Sequence, residues 1–168
     1  MKRPRLLAVL GAGVLLGIGI FAAEAHGPRH NPVRHQFVMQ NGLPDAYLDA
    51  RNPLGKTRDN LTGGAELFAE HCVLCHGRAG QGNGEGAADL DPPPPNLAGL
   101  YGGPMERMAG GRKMMGGRNM DAFTFWAVSE GGEALGTGMP AYKDVLSEDE
   151  RWQILLYMAN GFSIDTGK

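Results

Sequence analysis

The chain holds two cysteines, Cys72 and Cys75. Both lie in Glu70–Gly77, EHCVLCHG, and His76 stands directly after the second. Several chemistries use a cysteine pair at this spacing. A structural zinc site needs four ligands, commonly two such pairs, and the chain supplies no second cluster at zinc spacing. A thioredoxin-like redox pair belongs to a β-α-β context, and no strand-like alternation precedes this motif. Covalent haem attachment has the signature C-x-x-C-H. Two cysteines three residues apart share one helical face, where both can add across the vinyl groups on one edge of a porphyrin. The next residue's imidazole is then carried under the iron. A plain disulfide is the alternative, and in it His76 would be incidental. The expectation is haem attachment through Cys72 and Cys75, with His76 as an axial iron ligand.

A six-coordinate iron needs a second axial ligand from elsewhere. There are nine methionines. Met139 stands in Gly136–Tyr142, GTGMPAY, immediately before Pro140. The residue before a proline is driven to extended backbone, which helps a loop project that side chain inward. Met139 also lies far in sequence from His76, as a ligand on the opposite haem face must. The alternative for Met139 is core filler. The rival methionines are Met105, Met108, Met114, Met115 and Met120, a cluster that covers a hydrophobic group or binds Cu(I) through soft thioethers.

Three helices are expected to position these residues. Ala65–His76 places Ala65, Phe68, Cys72 and Cys75 on one face and ends at Gly77. Asp121–Glu130 is capped by Asn119 or Asp121 and stopped by Gly131-Gly132. Ser147–Asn160 opens with a capping box of Ser147 and Glu150, carries the stripe Trp152, Leu155, Leu156 and Ala159, and ends at Gly161. Between them, Arg78–Gly103 reads as a loop around Pro92–Pro95, and Pro104–Gly117 as a basic, glycine-rich loop. His26–Gly64 reads as an extended arm along the domain, with at most a helical turn near Asp45–Asp49. Its His26, His30 and His35 have no metal-site spacing and read as solvated. With 27 glycines and 11 prolines, the long loops need something other than a large core to hold their shape, and a bound prosthetic group would do that.

Residues 1–25 have a basic start at Lys2, Arg3 and Arg5, an apolar run from Leu6 to Ala23, and the small-x-small pattern Ala23-Glu24-Ala25. That order is a secretory signal peptide; the alternative is an uncleaved membrane anchor. Either one exports the rest of the chain. The formal charge of −2 becomes more negative without the leader's basic residues. A basic excess, the mark of nucleic-acid binders, is therefore missing. The expected division is a signal peptide over 1–25, an arm over 26–60 and one haem-binding domain over 61–168.

CVLCH at Cys72–His76, GTGMPAY at Gly136–Tyr142 and SEDERWQILLYMAN at Ser147–Asn160 together resemble a class I, monohaem c-type cytochrome, from about Leu61 to Gly161. The resemblance implies an all-α cytochrome c fold of few helices and long loops around one haem c. It implies thioethers at Cys72 and Cys75 and axial ligands at His76 and Met139. Gly64 and Phe68 would pack on Trp152 and Tyr157 of the last helix, with the two helices crossing near a right angle. Pro95-Asn96-Leu97 is similar to the family's Pro-x-Leu: Pro95 would offer its carbonyl to the His76 ring N–H, and Leu97 would pack on the haem. Filled iron coordination implies one-electron transfer between redox protein partners in the bacterial periplasm, as a soluble carrier or a respiratory subunit, rather than catalysis. Membrane association would come through the N-terminus or a membrane complex. The contrasting readings are a haem enzyme or gas sensor without Met139 on the iron, and a copper-handling protein.

Overall fold

A computed structural model describes residues 32–101 and 120–167. The elements, in chain order, are α1 (Pro32–Asn41), a 3-10 turn (Asp45–Tyr47), α2 (Arg58–His71), α3 (Val73–His76), 3-10 turns at Glu85–Asp89 and Leu97–Gly99, α4 (Met120–Glu130), a 3-10 turn (Glu133–Leu135) and α5 (Glu148–Ala159). The described residues contain no strand, so the fold is all-α as expected.

The α2 helix starts earlier than its apolar pattern suggests. Thr57 caps it, its side chain accepting from the Asn60 N–H, and the helix runs straight through Gly63-Gly64. Those glycines read as a boundary in sequence, yet Gly64 serves packing. A Cβ built there would lie 2.1 Å from the Gln153 carbonyl oxygen and 3.0 Å from Tyr157 Cβ. The residue is glycine because α5 crosses at that point. The expected single helix to His76 is also broken: Cys72, at φ −117° and ψ −30°, ends α2 and starts the one-turn α3.

The last helix begins as expected. The Ser147 side chain accepts from the Glu150 N–H while the Glu150 carboxylate accepts from the Ser147 N–H. Its buried set is Arg151, Trp152, Ile154, Leu155 and Met158. The expected stripe is corrected at two positions: Leu156 is half-buried and Ala159 exposed, because α5 packs against both α2 and α4 and turns Ile154 and Met158 inward. Trp152 stacks on Phe125 of α4 at 3.9 Å and 3°. Phe68 of α2 meets Tyr157 at 5.9 Å and Phe162 at 5.2 Å. These residues share one core with Val128, Leu146, Ile154, Leu155 and Met158.

The main departure from expectation lies in the arm. Residues 32–41 form a helix, and this helix is packed rather than laid loosely along the domain. Val38 and Leu43 make a second core with Ala122 and Trp126 of α4. Phe37 stacks on Trp126 at 5.7 Å. The reason is in α4, which buries Ala122, Thr124, Phe125, Trp126, Val128 and Ser129. Residues so placed spread over more than half of the helix's circumference, an arc wider than one partner helix can cover, while half-buried Met120, Phe123, Ala127 and Glu130 line the rest. The inner face goes to α5 and the outer face to α1. Residues 26–31 and the basic loop Pro104–Gly117 lie outside the described residues, as do residues 1–25.

Gly64→Ala should lower stability by about 1–3 kcal/mol, since the added methyl meets backbone that cannot swing aside. Urea denaturation of the holoprotein checks this, and an unchanged midpoint would mean the helices are not in this close contact.

Candidate haem site

The short helix α3 delivers His76 through a tight set of backbone bonds. His76 N–H donates to the Cys72 carbonyl at 2.8 Å and Gly77 N–H to Val73 at 2.8 Å. The chain then turns at Gly77 (φ +73°) and comes back beneath the motif. Gly82 N–H donates to the His76 carbonyl at 2.8 Å, and the Gly80 carbonyl accepts from Leu97 N–H at 2.6 Å and Ala98 N–H at 3.2 Å. A Cβ on Gly82 would sit 2.4 Å from the Pro94 oxygen and 2.9 Å from the Pro95 oxygen. This close approach draws Pro95 and Leu97 toward His76, as the Pro-x-Leu resemblance implies.

His76 is 8% exposed, and its Nδ1 makes no hydrogen bond. Burial holds the imidazole below its ordinary range, against a smaller opposing pull from the Pro95 backbone. The Pro95 carbonyl thus acts on the ring from nearby, short of a hydrogen bond of normal geometry. A buried imidazole without partners is costly, whereas one ring nitrogen on a metal and the other on a carbonyl would satisfy it.

Met139 stands in a loop after α4 and packs half-buried against the main core. Gly132 N–H donates to the Met139 carbonyl at 2.8 Å, and Tyr142 N–H to the Val128 carbonyl at 3.1 Å. These bonds fold the loop back on the end of α4. The Tyr142 hydroxyl donates to the His71 carbonyl at 2.8 Å, tying this loop to the helix that leads into Cys72. Burial pushes the Tyr142 hydroxyl up to about 12, and Cys72 and Cys75 add to the shift. Burial likewise pushes the Cys72 thiol up to about 12, helped by Cys75. Cys72, Leu97, Leu100, Tyr101, Met139 and Tyr142 all lie half-buried against the main core. They come from three separate parts of the chain and leave apolar surface only partly covered, which a large apolar ligand would cover. The residues present therefore fit a haem.

Cys72 and Cys75 are free thiols, not a disulfide. Among the described residues no group of three or more His, Cys, Asp or Glu is gathered to hold a metal ion. Of the rival methionines only Met120 is described, half-buried at the start of α4. Met158, expected to pack, is 4% exposed in the core. A cleft of about 500 Å³ opens elsewhere, lined by residues that include Tyr47, Arg51, Phe125 and Lys143. None of the haem-site residues lines it.

Sequence reasoning missed Tyr142 and Gly82 as parts of the site. Tyr142 was visible within GTGMPAY, but its bond to His71 is tertiary and has no local signal.

The family model for cytochrome c matches residues 61–161. No curated protein matches the chain. Among solved structures, it is similar to a chain of the reducing HAO-like protein complex of Kuenenia stuttgartiensis. The identity is 24%, the TM-score 0.45, and the match covers 65% of this chain and 46% of that one. The chain thus spans less than half the length of that protein.

Tyr142→Phe removes the bond to His71 while keeping the ring. It should lower holoprotein stability by about 1 kcal/mol, read from the denaturation midpoint; no loss would mean the loop is not fastened there.

Proposed function

On the premise that the chain belongs to the cytochrome c family, and so carries covalently bound haem c for electron transfer, we propose that it is a periplasmic one-electron carrier with His76 and Met139 as the axial ligands. When bound, the haem supplies an Fe(II)/Fe(III) couple whose potential tends to be raised by His/Met ligation. Cys72 and Cys75 hold its edge as thioethers, and Pro95 orients the His76 ring from its Nδ1 side. Leu97 covers part of the apolar surface. Filled coordination leaves no iron position for oxygen or a substrate, so the iron does not act as an enzyme site.

The observation that carries this reading is the convergence of Met139 and Cys72 on one core, with the buried, unpartnered Nδ1 of His76 beside Pro95. Residues 1–25 act as the export signal or as an anchor, 26–60 as an arm, and 61–168 as the haem domain. No helix among the described residues is long and apolar enough to cross a membrane. The carrier exchanges electrons with protein partners, as a free shuttle or as a subunit of a respiratory oxidoreductase. The acids Glu148, Asp149 and Glu150 are accounted for by the start of α5 rather than by partner docking. They occupy the first turn of α5, where acids are stabilising, and Glu150 is engaged in the cap.

Met139→Ala should abolish the methionine–iron charge-transfer band and lower the reduction potential, checked by optical titration of the purified protein. If Met114→Ala or Met120→Ala does this and Met139→Ala does not, the axial assignment is wrong.

A further inference from the structure

The loop that carries Met139 is gripped by the arm. Arg34 of α1 is 5% exposed, with its guanidinium 4.8 Å over the Trp126 ring. Its Nη2 donates to the Gly131 carbonyl at 2.5 Å. Burial lowers its pKa to about 10, so it is charged at neutral pH and the bond is charge-assisted. The same peptide group presents its other end to Met139: Gly132 N–H donates to the Met139 carbonyl at 2.8 Å. A hydrogen bond from a cation to a peptide oxygen polarises that peptide and strengthens what its N–H donates.

The approach is too close for side chains. Gly131, at φ +64°, would place a Cβ 2.6–2.7 Å from backbone atoms of Met139, Pro140 and Ala141, and a Cβ on Gly132 would lie 3.4 Å from Arg34 Nη2. A second fastening stands beside the first. The Tyr47 hydroxyl donates to Glu130 at 2.5 Å, and Lys143 donates to the other carboxylate oxygen at 2.7 Å. Those two bonds hold the Glu130 carboxyl below its ordinary range, Lys143 contributing first. The segment from Gly131 to Lys143 is thus pinned where it leaves α4 and where it returns, with an arm residue taking part at each place.

We propose that Arg34 is a positioning residue for Met139: by gripping the Gly131–Gly132 peptide, it sets how readily the Met139 side chain leaves the iron. The proposal rests on Met139 being the axial ligand.

The test is imidazole binding to the purified ferric holoprotein, which must wait for Met139 to leave. Arg34→Met should speed binding about tenfold, the size expected when one charge-assisted bond no longer opposes opening. Leu61→Ala, in α2, provides the comparison, because Leu61 is fully buried and makes none of the hydrogen bonds that hold the loop. An unchanged rate in Arg34→Met would overturn the proposal. So would a rise in both variants that merely tracks their lost stability. If Arg34→Met does not accumulate, Arg34→Lys keeps the charge but loses the stacked fork, and is read by the same criteria with a smaller increase. If Met139→Ala leaves the charge-transfer band intact, the ligand reading fails, and the grip is then judged from hydrogen exchange at Gly132 N–H. Faster exchange in the Arg34 variant supports the grip, and unchanged exchange overturns it.

Discussion

The last helix can lie against α2 only because residue 64 has no side chain. With the Gln153 carbonyl oxygen 2.1 Å from where a Cβ would stand, the two backbones are nearly in contact. Everything downstream depends on that crossing. It sets Phe68 against Tyr157 and Phe162, and so fixes the end of α2 from which Cys72, Cys75 and His76 project. It also seats Trp152 on Phe125, which orders α4 and the point where the Met139 loop begins. One close helix contact therefore places both the CVLCH segment and the start of the Met139 loop, although they are far apart in sequence.

The second constraint is that α4 buries a wider arc than one partner helix can cover. Its inner aromatics belong to the α2–α5 core, and Trp126 points to a separate core built by Val38 and Leu43. A minimal haem domain would leave Trp126 uncovered. The arm covers it, and in doing so brings Arg34 to the end of α4. Buried Arg151 shows similar economy on the other side: it donates to Ser129 and, at 3.3 Å, to the Ser147 carbonyl, and lies 4.8 Å over Phe125. In both cases a guanidinium satisfies loop or cap carbonyls while its flat face rests on an aromatic ring, a combination lysine cannot match.

How much of this was legible depends on whether the signal was local. CVLCH is a chemical motif read within a single turn, and the Ser147–Glu150 cap is complete within four residues, so both were readable. Gly63-Gly64 misled, because glycine marks a turn and a tight helix crossing alike, and only the partner's position separates them. The helix at Pro32–Asn41 has no strong apolar stripe of its own. The signal for it lies in α4, where Phe123, Phe125 and Trp126 point in more directions than one partner helix can cover. The Arg34 and Tyr142 bonds join residues far apart in sequence and leave no mark at either end.

The central claim is that the loop brings Met139 to the haem face opposite His76. The optical spectrum of the wild-type ferric protein, purified with its haem attached, tests it most directly. A low-spin spectrum with a methionine–iron charge-transfer band is the predicted result. A high-spin spectrum, with ready binding of cyanide to the ferric protein and of CO to the ferrous form, would contradict it.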